Sequence, residues 1–372
     1  MRASAVAGIV LANINDNLLK KLTAHRSMSS VPVGARYRLI DFALSNLVNA
    51  GVTNVGIITK ENYRSLMDHV GSGIPWELDR KNGGLYLLPP YLTSGTKRYN
   101  GTVDALYGAR DYIKRCKSDY VVLYNGDFLA NVDISAAVEK HIENQADITM
   151  IYSSAYISDK TRDNIFFSLG ENNRITQMTF GSEPAENCVC SIGVTVISRE
   201  LLLKLVLEAY QNDNLNFNRD FLSSKLGTLK VYGFSHKEYI KFMSGTNSYY
   251  QANMDMLKPE IRRQLFNNER PILTKTRDDM CTRYGTKSKV KNSLIANGCV
   301  IEGEVENSIL FRGVRVEKGA KVKNCILMQE TVVGVEAQLN NVIADKNAVI
   351  GKEMVLKGTS QKHFFVKKNE II

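Results

Sequence analysis

The stretch ILFRGVRVEKGAKVKNCILMQETVVGVEAQLNNVIADKNAVI, residues 309–350, carries an apolar residue at about every sixth position. A six-residue step with Gly or Asn at the corners describes three short strands per coil, each turning one apolar side chain into a narrow core. We therefore predict a parallel β-helix, left-handed as the hexapeptide spacing indicates, over residues 285–372. The predicted core positions form four series: Ile295 and Ile301; Leu310, Val316 and Val322; Leu327, Val333 and Leu339; Ile343, Val349 and Val355.

The chain before the β-helix alternates two patterns from residue 3 to about residue 255. Short apolar runs are typical of strands buried on both faces, whereas Asp41–Ala50 and Ser135–Asn144 have helical spacing, the second with Ser135 as its N-cap. This order predicts an α/β domain over residues 1–256, a mostly parallel sheet with flanking helices. Residues 257–284 form a connector. The predicted strands are Ala5–Ala12, Val55–Thr59, Tyr120–Tyr124, Ile148–Tyr152 and Ile192–Ile197.

Composition limits the classes of function. The 372 residues suffice for two domains, and the six cysteines form no C-x-x-C pair, so we expect buried thiols in a reducing cytosol. No apolar run approaches the ~18 residues of a membrane helix, so we expect a cytoplasmic protein without a membrane partner. A formal net charge of +10 suits anionic partners such as nucleotides or sugar phosphates. Because zinc-finger, RNP and basic-stripe patterns are missing, we expect no nucleic-acid partner.

Long segments, in order along nearly the whole chain, carry a resemblance to one family. The chain resembles bacterial glucose-1-phosphate adenylyltransferase, also called ADP-glucose pyrophosphorylase. The resemblance implies a nucleotidyltransferase-like, Rossmann-like first domain that binds ATP and glucose 1-phosphate, a β-helix involved in oligomer contacts and regulation, and a product, ADP-glucose, that feeds glycogen synthesis. The segments are YRLIDFALSNLVNAG (37–51), IPWELDRKNGGLYLLPPY (74–91), GTVDALY (101–107), GD (126–127), SIGVTVI (191–197) and GTNSYYQANMDML (245–257).

The loop after the first strand departs from that family. The family pattern is Gly-Gly-x-Gly-x-Arg-Leu with a later Lys-Pro, whereas residues 13–19 here read NINDNLL and Met28-Ser29 replaces Lys-Pro. Glycines let backbone N–H groups approach a triphosphate; Asn tolerates the left-handed backbone but adds a side chain. Asp16 brings negative charge towards the phosphates, and the missing Arg and Lys remove charge that stabilises the transition state. We therefore expect a loop that holds no triphosphate.

Two further sites depart from the family in the same direction. The resemblance implies Mg²⁺ held by two aspartates; Asp127 matches the first, but Met243 stands at the second, and a thioether is not a ligand for a hard cation. The family's sugar-phosphate lysine is missing from Phe180-Gly181-Ser182. We therefore expect no metal site and no required cofactor in this chain. Mg²⁺ would belong to a catalytic partner subunit, and Asp127 would be vestigial.

Other matched residues keep two interpretations. The resemblance implies a substrate-like pocket, but some of its residues could serve only a turn or cap a strand end. The aromatic residues Trp76 and Tyr91 are expected to pack rather than bind. The pocket residues are Gly101, Thr102, Asp104, Gly126 and Asp127.

A second candidate site is basic. Arg26 and Arg38 match two positions at which the family binds effectors, while His25 replaces a lysine. A phosphorylated metabolite is therefore a candidate ligand, although surface arginines are more often simply solvated.

Three classes of function remain open. The first is a catalytically silent regulatory subunit that assembles with the catalytic subunit; we expect a homodimer alone and a mixed tetramer with that partner. The second is an active adenylyltransferase with a divergent loop, against which Asp16, Met28 and Met243 argue. The third is a β-helix acyltransferase, whose usual histidine base is missing because residues 237–362 contain no histidine. The first class is favoured.

Overall fold

The computed structural model describes residues 6–13, 15–90, 99–154, 163–183 and 187–372. Ala5 and Tyr91, named above in a strand and as a packing residue, lie outside these ranges. A nine-stranded sheet forms the centre of the first domain, and it contains all five predicted strands with ends shifted by up to three residues. In chain order its strands are β1 (Val6–Leu11), β2 (Asn54–Ile58), β3 (Gly84–Leu88), β4 (Tyr120–Asn125), β5 (Ile148–Ser153), β6 (Asn164–Leu169), β7 (Ile175–Gly181), β8 (Val189–Ser198) and β9 (Val231–His236).

The strand order brings the ends of β1 and β4 together. Along the sheet the strands run β7-β6-β8-β4-β1-β2-β3, while β5 pairs with β8 and with β9. Strand β1 is parallel to both of its neighbours, whereas β8 is antiparallel to β4, β5 and β6. The predicted α/β fold is thus confirmed. Because Leu11 lies beside Asn125, the loops after β1 and β4 leave the same edge of the sheet, where ligands of such sheets bind.

Helices cover both faces of the sheet. They are α1 (Leu39–Asn49), α2 (Arg64–Val70), α3 (Thr102–Gly108), α4 (Arg110–Arg115), α5 (Ile134–Glu143), α6 (Arg199–Gln211), α7 (Thr246–Asp255) and α8 (Pro259–Leu265). Helices α1, α2 and α5 share a core with Val6 and Val10 of β1, while α3, α4 and α6 share another with Ala7 and Ile9. Alternate residues of one strand therefore face opposite helical layers.

The start of α5 differs from the prediction. Its N-cap is Asp133, whose carboxylate accepts the Ala136 N–H at 3.0 Å, and Ser135 lies inside the helix. A carboxylate accepts this bond as well as a hydroxyl does, so both residues were eligible caps two positions apart.

Shorter elements fill the connections. Two antiparallel pairings join Pro32–Val33 to Tyr37–Arg38 and Phe128–Ala130 to Ile240–Phe242. After α8 the connector is irregular. An ion pair between Arg270 and Glu238 attaches it to the first domain. The 3₁₀-helices are Asp16–Leu18, Met28–Ser30, Ile74–Trp76, Glu171–Asn173 and Leu222–Lys225, and Phe217–Phe221 is a π-helix.

The C-terminal strands form three five-stranded parallel sheets, the arrangement of the predicted left-handed β-helix. Asn307, Asn324 and Asn341 occupy the same corner of successive coils with φ between 46° and 53°, a conformation that Asn tolerates. The first sheet contains Arg283–Tyr284, Val300–Ile301, Arg315–Val316, Val332–Val333 and Val349–Ile350. The second contains Lys289–Lys291, Glu304–Glu306, Lys321–Lys323, Gln338–Asn340 and Val355–Lys357. The third contains Leu294–Ile295, Ile309–Leu310, Ile326–Leu327, Val342–Ala344 and Phe364–Val366.

The predicted register is wrong in the last series by one residue. Strand pairing aligns Leu327 with Ala344 rather than with Ile343, so the inward positions that follow are Ile350 and Leu356. Val355, predicted to be a core residue, is 51% exposed, whereas Leu356 is 5% exposed. The cause is the apolar pair at 343–344, where spacing alone does not show which side chain points inward.

The three central strands of the third sheet are buried on both faces. Ile309, Ile326 and Ile343 point away from the β-helix core and join an apolar cluster with Leu22 and Met28 of the first domain. The segment that follows the β1 loop is therefore packed directly against the β-helix.

Two expectations drawn from composition, on cysteine burial and on membrane helices, are compared with the structure here. Four cysteines are buried, but Cys188 is half-buried and Cys281 is exposed, so the expectation of buried thiols is wrong for Cys281. Within the described ranges, every helix is too short or too polar to cross a membrane.

Candidate functional site

The loop after β1 is held by its own side chains. The Asn13 carboxamide accepts the Lys60 N–H at 2.8 Å and donates to the Asp16 carboxylate at 2.6 Å. Asn15 adopts φ 59°, so the left-handed backbone expected of Asn in this loop is present. The loop keeps a sharp turn, but its polar side chains point at one another.

Asp16 is the centre of this arrangement. One carboxylate oxygen accepts the Met28 N–H at 2.7 Å, and the other accepts the Asn13 amide. The Asp16 carbonyl also accepts the Thr23 hydroxyl. Burial raises the pKa of Asp16 above its ordinary value, because desolvation outweighs the hydrogen bonds that favour the anion. The Asp16 carboxylate is therefore the hydrogen-bond acceptor of the Met28 backbone N–H, at the start of the 28–30 turn.

Gly126 packs against the same turn. The Ser29 hydroxyl lies 2.9 Å from the Gly126 carbonyl and 3.0 Å from the Ala12 carbonyl, so it links the ends of β1 and β4. A Cβ at residue 126 would lie 1.9 Å from the Ser29 hydroxyl oxygen. Close packing explains the need for glycine here, and Ser29 is a site residue to which the sequence prediction gave no role.

Met243 lies beside Asp127. Its backbone N–H donates to the Asp127 carbonyl at 2.9 Å, and its side chain is buried in an apolar cluster with Met28 and Leu129. Asp127 is also buried, and its carboxylate accepts the Asn15 amide at 2.7 Å.

These donors do not fit Mg²⁺. One carboxylate beside a thioether is a poor set for a hard cation, which takes oxygen ligands. Among the residues that the structure describes, there is no group of three or more His, Cys, Asp or Glu side chains that could hold a metal ion.

Gly101, Thr102 and Asp104 organise the start of α3. A Cβ at residue 101 would lie 2.1 Å from the Leu215 carbonyl oxygen, and the Thr102 hydroxyl accepts the Phe217 N–H at 2.9 Å. Asp104 accepts the Asn100 N–H at 3.0 Å. All three residues thus have structural contacts, and of the three only Thr102 also lines the cavity near the β1 loop.

That cavity measures about 140 Å³. It is lined by Asn15 and Asn125 at the strand ends and by Phe180 on the far side. The guanidinium of Arg219 lies 5.2 Å from the Phe180 ring centre and forms an ion pair with Asp163. The volume of this cavity is below the ~300–1,000 Å³ usual for small-molecule sites. Sequence analysis missed Asp163 and Arg219, because no motif spacing connects them.

The two candidate effector arginines differ in burial and in the groups that they contact. Arg26 is buried, and its guanidinium lies 2.8 and 3.1 Å from the two carboxylate oxygens of Asp345 in the β-helix. Arg38 is half-buried and donates to the Ser65 carbonyl and hydroxyl; burial lowers its pKa to about 10. The structure therefore gives Arg26 an internal counter-ion, which leaves its guanidinium inaccessible to a metabolite.

Asp345 departs from the apolar pattern of the repeat, and this departure is a sequence signal that could have identified it as a residue with a buried partner. Strand pairing places Phe311, Met328 and Asp345 at the same corner of three successive coils. Phe311 and Met328 are fully buried, so a carboxylate in the next coil calls for a partner.

Comparison with known proteins agrees with this architecture. Residues 7–178 match the family model of nucleotidyl transferases, and residues 279–372 match the GlmU-like C-terminal hexapeptide model. The glycogen biosynthesis protein GlgD of Geobacillus stearothermophilus is 39% identical, over 98% of this chain and 96% of its own. GlgD of Bacillus subtilis is 33% identical over 85% and 82%, and the glucose-1-phosphate adenylyltransferase of Geobacillus stearothermophilus is 33% identical over 87% and 84%.

Fold and sequence together define a nucleotidyltransferase-type domain joined to a hexapeptide β-helix. More particularly, the chain belongs to the family of glucose-1-phosphate adenylyltransferases and GlgD proteins.

Proposed function

We propose that this chain is a catalytically silent regulatory subunit that acts in glycogen biosynthesis. It would assemble with a catalytic glucose-1-phosphate adenylyltransferase subunit and modulate the synthesis of ADP-glucose. The near-complete coverage of a GlgD protein at 39% identity supports the assignment to this branch.

The observation that carries the proposal is the position of the Asp16 carboxylate. It accepts the Met28 N–H at 2.7 Å and lies in the loop where the family resemblance implies the triphosphate. An incoming phosphate would have to displace this contact and then tolerate a like charge a few ångströms away. Productive nucleotide binding is therefore disfavoured by the folded loop itself.

The metal chemistry supports the same proposal. Transfer of a nucleotidyl group needs a cation that neutralises the charge of the phosphates. Asp127 with Met243 gives that cation one carboxylate, so we place Mg²⁺ in the catalytic partner and expect no cofactor requirement in this chain.

The alternative is an active glucose-1-phosphate adenylyltransferase with a divergent loop, converting ATP and glucose 1-phosphate to ADP-glucose and pyrophosphate. It is favoured by the 33% identity to an adenylyltransferase, equal to that with one GlgD protein. Asp16 and Met243 argue against it for the reasons given above.

Assembly is expected through the β-helix. The hexapeptide β-helix is the part of the chain for which the family resemblance implies oligomer contacts. We expect a homodimer of the isolated chain and a mixed tetramer with the catalytic subunit.

The test mixes this chain with a catalytic subunit of the same source. ADP-glucose formation is measured for each chain alone and for the mixture, with and without phosphorylated sugars, and the mass of each sample is taken from light scattering. We expect no turnover by this chain alone, a mixed oligomer, and a changed rate or effector response. Turnover by the isolated chain would establish the alternative, and separate elution with an unchanged partner rate would refute assembly.

A further inference from the structure

A large groove lies beside β3, the strand at one end of the described sheet. It measures about 1350 Å³, and it shares no described lining residue with the cavity near the β1 loop. Its lining runs from Asn54 and Gly83, at the amino ends of β2 and β3, to Leu88 at the carboxyl end of β3. A volume above the ~300–1,000 Å³ of ordinary small-molecule sites indicates an extended ligand.

Three side chains from α3, α4 and α6 form a stack in this groove. The rings of Tyr107 and Tyr210 lie 3.7 Å apart with an interplanar angle of 3°, and the Arg110 guanidinium lies 4.1 Å from the centre of the Tyr107 ring. Since Tyr210 occupies one face of the Tyr107 ring, the guanidinium covers the other. Tyr210 is therefore the outer layer of the stack, and it is 40% exposed. The stack holds a flat ring surface in place before any ligand binds.

A second exposed ring belongs to the edge strand. Tyr86 of β3 lines the same groove and is 45% exposed. Its ring centre lies 5.3 Å from that of Tyr112, whose hydroxyl donates to the Asn54 carboxamide oxygen at 2.8 Å. Two positioned aromatic rings, on different elements, are thus left exposed along one groove, which is typical of a binding surface.

The charged groups of the groove do not favour an anionic ligand. Among its described lining residues, the carboxylates of Asp104, Asp111 and Asp213 outnumber the guanidinium groups of Arg110 and Arg115. A phosphate would therefore meet more negative than positive charge here, although the whole chain has a formal net charge of +10. Carboxylates accept hydrogen bonds from hydroxyl groups and guanidinium groups donate to them. Together with the ring faces, these groups suit a neutral ligand with many hydroxyls.

We propose that this groove binds a chain of α-1,4-linked glucose units. A glucose ring has faces of C–H groups, which pack on aromatic rings, and a rim of hydroxyl groups, which bond to carboxylate and guanidinium groups. Tyr86 and Tyr210 would each stack on a sugar ring, and Asp213 and Arg110 would bond to hydroxyls. The choice of this glucan among neutral sugar chains rests on the proposed role in glycogen biosynthesis. A chain bound here would hold the protein at the surface of the polymer.

The test is the binding of maltoheptaose to the full chain, measured by isothermal titration calorimetry. We expect saturable binding that is weakened at least about fivefold in Tyr210→Ala and in Tyr86→Ala, because each variant loses one stacking ring. Tyr210→Phe keeps the ring and should bind within about twofold of the native chain. Glucose 1-phosphate should not displace maltoheptaose, because the groove lacks an excess of positive charge.

A matched control is Tyr284→Ala. It removes a tyrosine of similar exposure, 54%, from the β-helix and should leave the binding of maltoheptaose unchanged. Thermal unfolding of each variant shows whether it is folded. Tyr86 and Tyr210 lie on different elements, so one variant tests the proposal should the other fail to fold.

The proposal is wrong if the native chain shows no saturable binding of maltoheptaose at about 10 mM, or if the folded alanine variants bind it as tightly as the native chain does. Binding of cellohexaose in place of maltoheptaose would overturn the choice of an α-linked chain. Absence of sugar binding, with a loss of oligomer mass in Tyr210→Ala on light scattering, would make the groove a contact between copies. None of these measurements uses a catalytic subunit or the rate of ADP-glucose formation, so their failure and that of the proposed function are told apart.

Discussion

The loop after β1 and the core of the β-helix contain different kinds of side chains: polar side chains in the loop and apolar side chains in the core. In the β-helix, each short strand from Val300–Ile301 to Val355–Lys357 contributes an inward apolar side chain, and neighbouring coils stack such residues in register. In the loop, carboxamide, carboxylate and hydroxyl groups satisfy one another through irregular contacts such as Asn13 to Asp16 and Asn15 to Asp127. One region is stabilised by repetition and the other by individual hydrogen bonds.

This difference shows which of the two regions carries evidence about function. A repeated apolar core sets the architecture but no chemistry, because any well-packed residue of similar size serves. The polar loop sets the chemistry, because Asn13, Asn15 and Asp16 each have an identified hydrogen-bond partner. Arg26 and Asp345 join the two regions, so a change in either region can reach the other through one buried contact.

The largest effect is expected where a charge enters the apolar boundary between the regions. Met243→Asp places a carboxylate in a buried cluster beside Asp127, so we expect a loss of about 3–5 kcal/mol in the free energy of unfolding at neutral pH. It should not create activity, because the loop of residues 13–18 is unchanged. Urea unfolding and pyrophosphate release with ATP, glucose 1-phosphate and Mg²⁺ measure the two outcomes.

The matched control is Met243→Leu, which keeps the apolar volume and should cost less than ~1.5 kcal/mol. Substantial turnover by Met243→Asp alone would mean that the loop matters less than we infer. In that case the missing carboxylate would be the main obstacle to catalysis.

A smaller effect tests the regular region at its disputed register. Leu356 is 5% exposed and Val355 51% exposed in the same strand. We expect Leu356→Ala to cost about 2 kcal/mol and Val355→Ala to stay within ~0.5 kcal/mol, since only the first opens a cavity. Urea unfolding compares the two, and a larger loss for Val355→Ala would restore the register given by the simple six-residue count.

Sequence alone gave the architecture because apolar periodicity records which residues are buried. The spacing of Leu310, Val316 and Val322 predicts the coils, and the alternation of strands and helices predicts the sheet. The register was missed from Ile343 onward, because Ile343 and Ala344 are both buried apolar residues and the spacing does not show which of them points into the β-helix core.

The contacts of the site could not be predicted in the same way. The pairing of Arg26 with Asp345 depends on how the β-helix packs against the first domain, and no spacing along the chain records that. The Ser29 hydroxyl between two strand ends is similar, because both acceptors are backbone carbonyls and carry no residue-specific signal. The sequence indicated that the loop differs in composition from its family pattern, whereas the structure shows what the substituted side chains bind.

The smallest effect tests the irregular region through the pH dependence of stability. Burial raises the pKa of Asp16 in the folded state above its ordinary value of 3.8, so the folded protein binds this proton more tightly than the unfolded chain does. The stabilising contribution is therefore complete below pH 3.8 and is lost as the pH rises through the raised pKa. Asp16→Asn removes this titration.

Urea unfolding of both chains at a series of pH values above 3.8 measures the effect. The free energy of unfolding of the native chain, minus that of Asp16→Asn, should fall as the pH rises and then level off. A difference that instead grows with pH would show that hydrogen bonds from Met28 and Asn13 outweigh the cost of burying the charge. The carboxylate would then be a stabilised anion, and displacing it from the loop would be harder still for a phosphate.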